Sequence, residues 1–279
     1  MEDTKLTSWS DFEAEIQKLN HLREQRERDN HRTFGELLFR GLGRSEWGLE
    51  TTLERSYPLE SSDETTSLRQ YYRKIAASKP AVEMITGKRW DEVPNFPEFE
   101  RKLQGHHGEW LDLFLNQHIG IYEYLIYLRH HGFPSPLLDW TASPYVAAFF
   151  AFDAMDRSAT HVSVYALLRD SMTSHSSDAH LFIVGPYVRS DPRHYAQQSR
   201  YSLSVKQEGH DYHFLPHEQV KPTGLLGAEG ELVKFNIEAS KRSQILRHLD
   251  LMNINSFSLF GSEDSLIRTV ARRECLFRT

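Results

Sequence analysis

The chain has 279 residues, 39% of them hydrophobic and 26% charged, with a formal net charge of −6. That is the composition of a globular protein long enough for a substantial core, and its acidic balance argues against a general polyanion-binding surface, although 33 Lys and Arg leave room for local basic patches. A lone Cys275 excludes an internal disulfide or thiolate cluster, the opening MEDTKLTSWSDFEAEI lacks the pattern of a signal peptide, and no segment offers the roughly 18 uninterrupted apolar residues of a membrane span. The expectation is a soluble cytoplasmic protein with no membrane partner.

Ser10-Asp11 followed by Phe12, Ile16 and Leu19 predicts a capped amphipathic helix with a polar, solvated continuation. ELLFR (36–40) predicts a short strand ending at Gly41-Leu42-Gly43, and WGLETTLER a strand or extended turn. Residues 63–79 have helical character, 86–97 read as a loop around Pro94 and Pro97, 99–120 are mixed, and IYEYLIYLRH (121–130) predicts a helix. Leu137-Leu138 looks like a short buried strand leading into Asp139-Trp140. Ser143-Pro144 is a strong helix start, since a Ser cap satisfies an orphan amide and Pro presets the first turn. The following YVAAFFAFDAM is apolar nearly all round, hence a buried helix.

HVSVYALL (161–168) alternates as a strand, and 170–180 read as a loop. Short strands are expected at Phe182–Val184 and Tyr201–Val205, and a more secure one at Leu232–Ile237. Helices are expected at Lys241–Leu251 and Glu263–Arg273. No regular βαβ rhythm appears. The predicted class is α+β, with mixed, largely antiparallel sheets and flanking helices.

Four places carry candidate chemistry. Arg40 at a strand end beside Gly41 offers a planar fork of donors for phosphate where backbone can approach closely; an Arg–carboxylate pair before a glycine turn explains the same residues. His131, Gly132, Pro134, Pro136 and Asp139 concentrate polar groups inside apolar sequence. Asp139 could cap amides, orient His131 or accept a ligand hydroxyl. Arg193-His194-Tyr195-Ala196-Gln197-Gln198-Ser199 could present an amide inward, or form a polar strand edge. Glu229-Gly230-Glu231 places two carboxylates on one face if a strand begins there, and is otherwise a solvated turn. The histidine pairs at 106–107 and 130–131 lack helical metal-ligand spacing, so no metal is expected. No G-x-S-x-G, Walker or GxGxxG motif occurs.

Together these segments resemble the FRG domain family. LFRGLGRSEWGLETTLERS matches its first signature through Phe39-Arg40-Gly41, with Trp47, Leu49, Leu53 and Arg55 in the family's usual places. HHGFPSPLLDWTASPYVAAFFA matches the second closely. RHYAQQSRYSL and LVKFNIEASKRSQILRHLDLMNINSFSLF are weaker matches, with Ser199 where Gly is usual and Gly261-Ser262 replacing a common Pro-Asp. The similarity runs over roughly 34–275, leaving 1–33 as a helical N-terminal extension and 34–279 as the catalytic or binding domain.

The order of these motifs is also similar, more remotely, to that of ADP-ribosyltransferases. That likeness implies a corresponding fold, NAD as substrate, and transfer of ADP-ribose to a nucleic acid or protein acceptor. It further implies a toxin or phage-defence setting, with a possible neutralising antitoxin. On it, Arg40 and Arg193 bind phosphate or ribose, the Gly41 backbone holds the nicotinamide amide, and Thr141 or Ser143 braces the ribose. His131 and Asp139 form a polar pair, and Gln198 or Glu231 stands for the usual glutamate. A non-catalytic nucleotide- or nucleic-acid-binding module and a nuclease built on His131 and Asp139 are the alternatives.

Overall fold

The computed structural model describes residues 2–30, 36–56, 67–105, 121–168, 179–185, 192–208, 211–219 and 231–277. Its strands are β1 Glu2–Leu6, β2 Leu38–Leu42, β3 Leu138–Thr141, β4 His161–Leu168, β5 Ala179–Val184, β6 Ser199–Glu208, β7 Asp211–Phe214 and β8 Glu231–Glu238. They form one sheet ordered β1-β8-β4-β2-β3-β6-β5, with β7 also paired to β6. Every pairing is antiparallel except β1 with β8. The helices are α1 Trp9–Asn30, α2 Thr52–Ser56, α3 Leu68–Thr86, α4 Phe96–Gly105, α5 Ile121–His130, α6 Pro144–Asp153, α7 Pro192–Ala196, α8 Arg242–Leu251, α9 Ser256–Phe260 and α10 Glu263–Cys275. The class is mixed α+β, as expected.

Strand alternation sends side chains to opposite faces, and three cores follow. Phe39 of β2, Val162 and Val164 of β4, and Phe235 and Ile237 of β8 pack against Phe12 and Ile16 of α1, Phe149 and Phe152 of α6, and Ile245 of α8. On the same face beyond the β2–β3 pairing, Tyr201, Leu203 and Val205 of β6 pack against Tyr71, Tyr72 and Ile75 of α3 and Tyr122, Tyr124 and Leu125 of α5. Leu38, Leu42, Leu138, Trp140, Tyr165 and Leu167 form a third layer shared by β2, β3 and β4.

The sheet is nearly divided in its middle. β2 pairs with β4 over five residues and β3 with β6 over four, but β2 and β3 meet only at Phe39 and Thr141. Helix α6 lies over this seam. It starts three residues after β3 ends yet presses on β2: a Cβ at Gly41 would sit 1.9 Å from the Ala147 carbonyl oxygen and 2.7 Å from the Ala151 nitrogen. Its N-terminus is capped as expected, with the Val146 amide donating to Ser143 Oγ at 3.3 Å.

Several expectations need correction. The cap of α1 is at Ser8, not Ser10: Asp11 N donates to Ser8 Oγ (3.1 Å) and Ser8 N to Asp11 Oδ2 (2.9 Å), a reciprocal pair that outcompetes a later start. The N-terminal segment is not purely helical, because residues 2–6 form β1, and the apolar stripe Phe12, Ile16 and Leu19 belongs to the core of the same sheet. β2 continues through Gly41 and Leu42 instead of turning there. Residues Thr52–Ser56 are helical, not extended, with Thr51 and Glu54 capping each other. Glu229-Gly230, the loop at 170–178, and His106-His107 lie outside the described residues. Among the described residues, no helix is long and apolar enough to cross a membrane, and no group of three His, Cys, Asp or Glu could hold a metal ion.

Candidate functional site

Where β2 and β3 part, a cleft of about 670 Å³ opens, lined from both sides of the seam. Arg40 enters it from β2 and Asp139 from β3. The Arg40 guanidinium donates from Nη1 to the Asp139 carbonyl oxygen at 2.8 Å, and the Asp139 carboxylate lies 3.6 Å away. Arg129, on the last turn of α5, grips that carboxylate with both arms of its fork: Nε donates to Oδ1 at 2.6 Å and Nη2 to Oδ2. Its third nitrogen, Nη1, donates to Thr52 Oγ1 at 3.1 Å. Thr52 in turn accepts from the Ser135 amide at 2.9 Å, which ties α2 to the Pro-rich loop before β3.

This arrangement sets the charge of the cleft. Arg40, Arg55, Arg129 and Arg193 line it against the carboxylates Asp139 and Glu50, so it is locally basic in an acidic chain. Burial works to raise the Asp139 pKa, but Arg129 first and Arg40 second pull it down to about 2. Burial pushes the Arg40 guanidinium down to about 10, with Asp139 opposing. Both groups are therefore charged near neutrality. The Asp139 side chain is still 45% exposed and can be reached from the cleft. Arg40 Nε is buried without a hydrogen-bond partner.

Beside this pair lies a second polar group. The Tyr201 hydroxyl is 3.1 Å from His130 Nε2 and 2.8 Å from His194 Nε2. One phenol proton cannot be donated to two imidazoles, so at least one histidine carries its own proton on Nε2 and donates it to the phenol oxygen. Burial pushes the Tyr201 pKa strongly upward, which keeps it a phenol. His130 and Tyr201 both line the cleft, while His194 is buried behind them.

The expected site residues divide accordingly. Arg40, Gly41, Asp139, Thr141 and Arg193 line the cleft; His131, Ser143 and Gln198 do not, and the side chain of Glu231 lies outside what the structure describes. His131 follows the end of α5 and is exposed, its ring 4.4 Å from that of Tyr127 one helical turn earlier, so the expected His131–Asp139 pair is not formed. Asp139 neither caps α6 nor orients His131; it pairs with Arg129 and Arg40. The Thr141 hydroxyl donates to the Gln197 carbonyl at 2.7 Å and accepts from Ser143 N, while Ser143 serves as the cap of α6.

Gln198 occupies a left-handed turn (φ 49) and Gln197 faces the cleft instead, its Nε2 donating to Leu259 O at 3.0 Å. Glu231 begins β8, paired with Leu168 and separated from β2 by β4. Sequence reading missed Arg129, Tyr201 and Glu50, noted His130 beside His131 without giving it a role, and placed Arg55 only in the first signature. The nearest available signal was helical phase. In IYEYLIYLRH the buried Tyr122, Leu125, Ile126 and Leu128 define a face that Arg129 continues, whereas His131 falls beyond the helix end.

Comparison with the curated proteins and with the solved structures gave no match. The model of the FRG domain matches residues 35–160. That span holds Arg40, Trp47, Arg55, Arg129, His130 and Asp139, most of the charged wall of the cleft, while Arg193, Gln197 and Tyr201 come from beyond it. Residues 35–160 are thus similar to the FRG domain, and the Phe-Arg-Gly of β2 within them is the strand segment that brings one guanidinium and one closely packed glycine to the seam of the sheet.

Proposed function

We propose that the chain is an NAD-dependent ADP-ribosyltransferase-like effector that modifies a macromolecule, of the toxin or phage-defence type. The observation carrying this reading is the cleft at the β2–β3 seam, where Arg40, Arg55 and Arg193 accompany the Arg129-bound carboxylate of Asp139. About 670 Å³ is ample for a dinucleotide. Guanidinium forks suit its pyrophosphate.

In the reaction, the bond between ribose C1′ and the nicotinamide nitrogen breaks, and its electron pair leaves with nicotinamide. C1′, oxocarbenium-like in the transition state, bonds to the acceptor nucleophile. Negative charge fixed beside that centre lowers the barrier. Asp139, ionised at any physiological pH and exposed to the cleft, is the carboxylate for that role, with Glu50 the other among the described lining residues; Gln198 does not line it. The nucleophile's proton passes to the His130–Tyr201–His194 group, whose single phenol proton lets it accept at one imidazole and redistribute to the other.

The test is incubation with labelled NAD and a cell extract. The expected result is transferred label and released nicotinamide, reduced at least about 100-fold in a folded Arg40→Ala variant. Absence of both products with the native chain removes this reading. The imidazole–phenol group beside arginines also favours one second reading, metal-independent cleavage of RNA with His130 as acid or base. RNA degradation without NAD, lost in His130→Ala, would select it.

A further inference from the structure

Trp47 lines the cleft and leaves 45% of its surface in solvent, unusual for the largest apolar side chain. Scattered exposed apolar residues are ordinary on protein surfaces. Trp47 differs because the chain around it is held at successive points. Gly43 O accepts from Asp156 N at 3.3 Å and Ser45 N donates to His161 O at 2.9 Å. Ser45 O accepts from Lys234 Nζ at 2.6 Å, Trp47 O from the Tyr165 hydroxyl at 3.2 Å, and Glu218 Oε1 from Leu49 N at 3.1 Å. The indole is thus presented by an anchored segment. Among the described residues no ring or cation packs on its face. Tyr165, which holds the Trp47 carbonyl, is the direct cross-strand partner of Arg40. A flat apolar surface and a phosphate-binding fork are therefore set side by side.

We propose that Trp47 is the stacking platform for a heteroaromatic base of the nucleotide whose phosphates lie on Arg40 and Arg55. This rests on the nucleotide-cleft reading and adds the subsite that selects a base-bearing ligand over a bare phosphate. Two rings of the dinucleotide, adenine and nicotinamide, share the required chemistry. Calorimetric titration of the full chain with ADP-ribose, nicotinamide mononucleotide and ribose 5-phosphate separates them. A base on an aromatic platform strengthens binding about 5- to 150-fold. Trp47→Ala should weaken the ring-matched ligand by that factor, leave ribose 5-phosphate unchanged, and leave the melting temperature unchanged. Trp47→Phe should recover part of the loss. Weakening of ADP-ribose alone assigns adenine, and of nicotinamide mononucleotide alone the other ring. Equal affinity of native and Trp47→Ala chains for both base-bearing ligands overturns the subsite while leaving the cleft reading intact. Failure of the native chain to bind either overturns both.

Discussion

The two sides of the seam are built from different materials. Behind β2, β4 and β8 the fully buried rings are phenylalanines: Phe12, Phe149, Phe152 and Phe235. Behind β3, β6 and β5 they are largely tyrosines, Tyr72, Tyr122, Tyr124 and Tyr201, and most need partners. Tyr72 donates to Pro94 O at 2.6 Å, Tyr71 to Pro134 O at 3.0 Å, and the Tyr124 hydroxyl lies 2.8 Å from Ser78 Oγ. The first side is held by shape, the second by shape and by a set of buried polar pairs. Most of the chemistry of the cleft sits on the second side, which already places hydroxyls, imidazoles and charges in apolar surroundings. The first side contributes a wall, one guanidinium and an anchored indole.

If this distinction is right, the two sides respond to different insults. The largest effect is expected on the apolar side. Gly41→Ala forces a methyl onto main-chain atoms of α6, which cannot yield as a side chain would. A loss of about 3 kcal/mol or more is expected in denaturant unfolding; a neutral result would mean that the helix–strand contact is looser than drawn.

Acid should act next, at a buried imidazole. His217 is 4% exposed, and neither ring nitrogen makes a full hydrogen bond. Burial pushes its imidazole down to about 4, against a weaker pull from the Ser202 backbone. The unfolded chain binds that proton below about pH 6.5 while the folded chain does not, so stability falls as pH drops from about 6.5 to 4, by about 3 kcal/mol. Asp139 shows the same sign in a lower window: its contribution is complete above about pH 4 and lost towards pH 2, and after screening of a half-exposed group it is about 1 kcal/mol. His217→Met should flatten the first step and leave the second. A flat profile in the native chain between pH 6.5 and 4 would contradict the buried neutral imidazole.

On the polar side, Arg129→Met removes the fork from Asp139 but leaves Arg40 within 3.6 Å. A loss of about 2 kcal/mol is expected, less than for a wholly stranded charge. The Arg129→Met, Asp139→Leu double variant should recover much of it, because no unpaired carboxylate remains. Simple additivity of the two single losses would show that the pair is not a unit.

Much of the fold could be read in the chain itself, for identifiable reasons. α5, β4 and the start of α6 fall where periodicity, alternation and the Ser-Pro cap put them, since each signal is local. β1 could not be seen, because EDTKL has almost no apolar signature and becomes a strand only by pairing with β8 more than 220 residues later. DYHF of β7 is similarly short, and α2 is a single turn fixed by Ser135 and its own cap. In the site, Arg40 and Asp139 were legible from motif context. His131 was favoured by its motif, whereas helical phase turns Arg129 and His130, one or two residues earlier, into the cleft. The carboxylate's partner was ten positions upstream, and nothing in the spacing of charges alone announces such a pair.

The bare α-carbon at position 41 also governs how wide the cleft at the seam can be. Because α6 is tethered to the end of β3 and seated on β2 at main-chain distance, it acts as a brace between two strands that otherwise share one residue pair. Spreading the strands would mean lifting a whole buried helix. The gauge of the opening is thus set before any ligand arrives, by a position that contributes no side-chain atom to it.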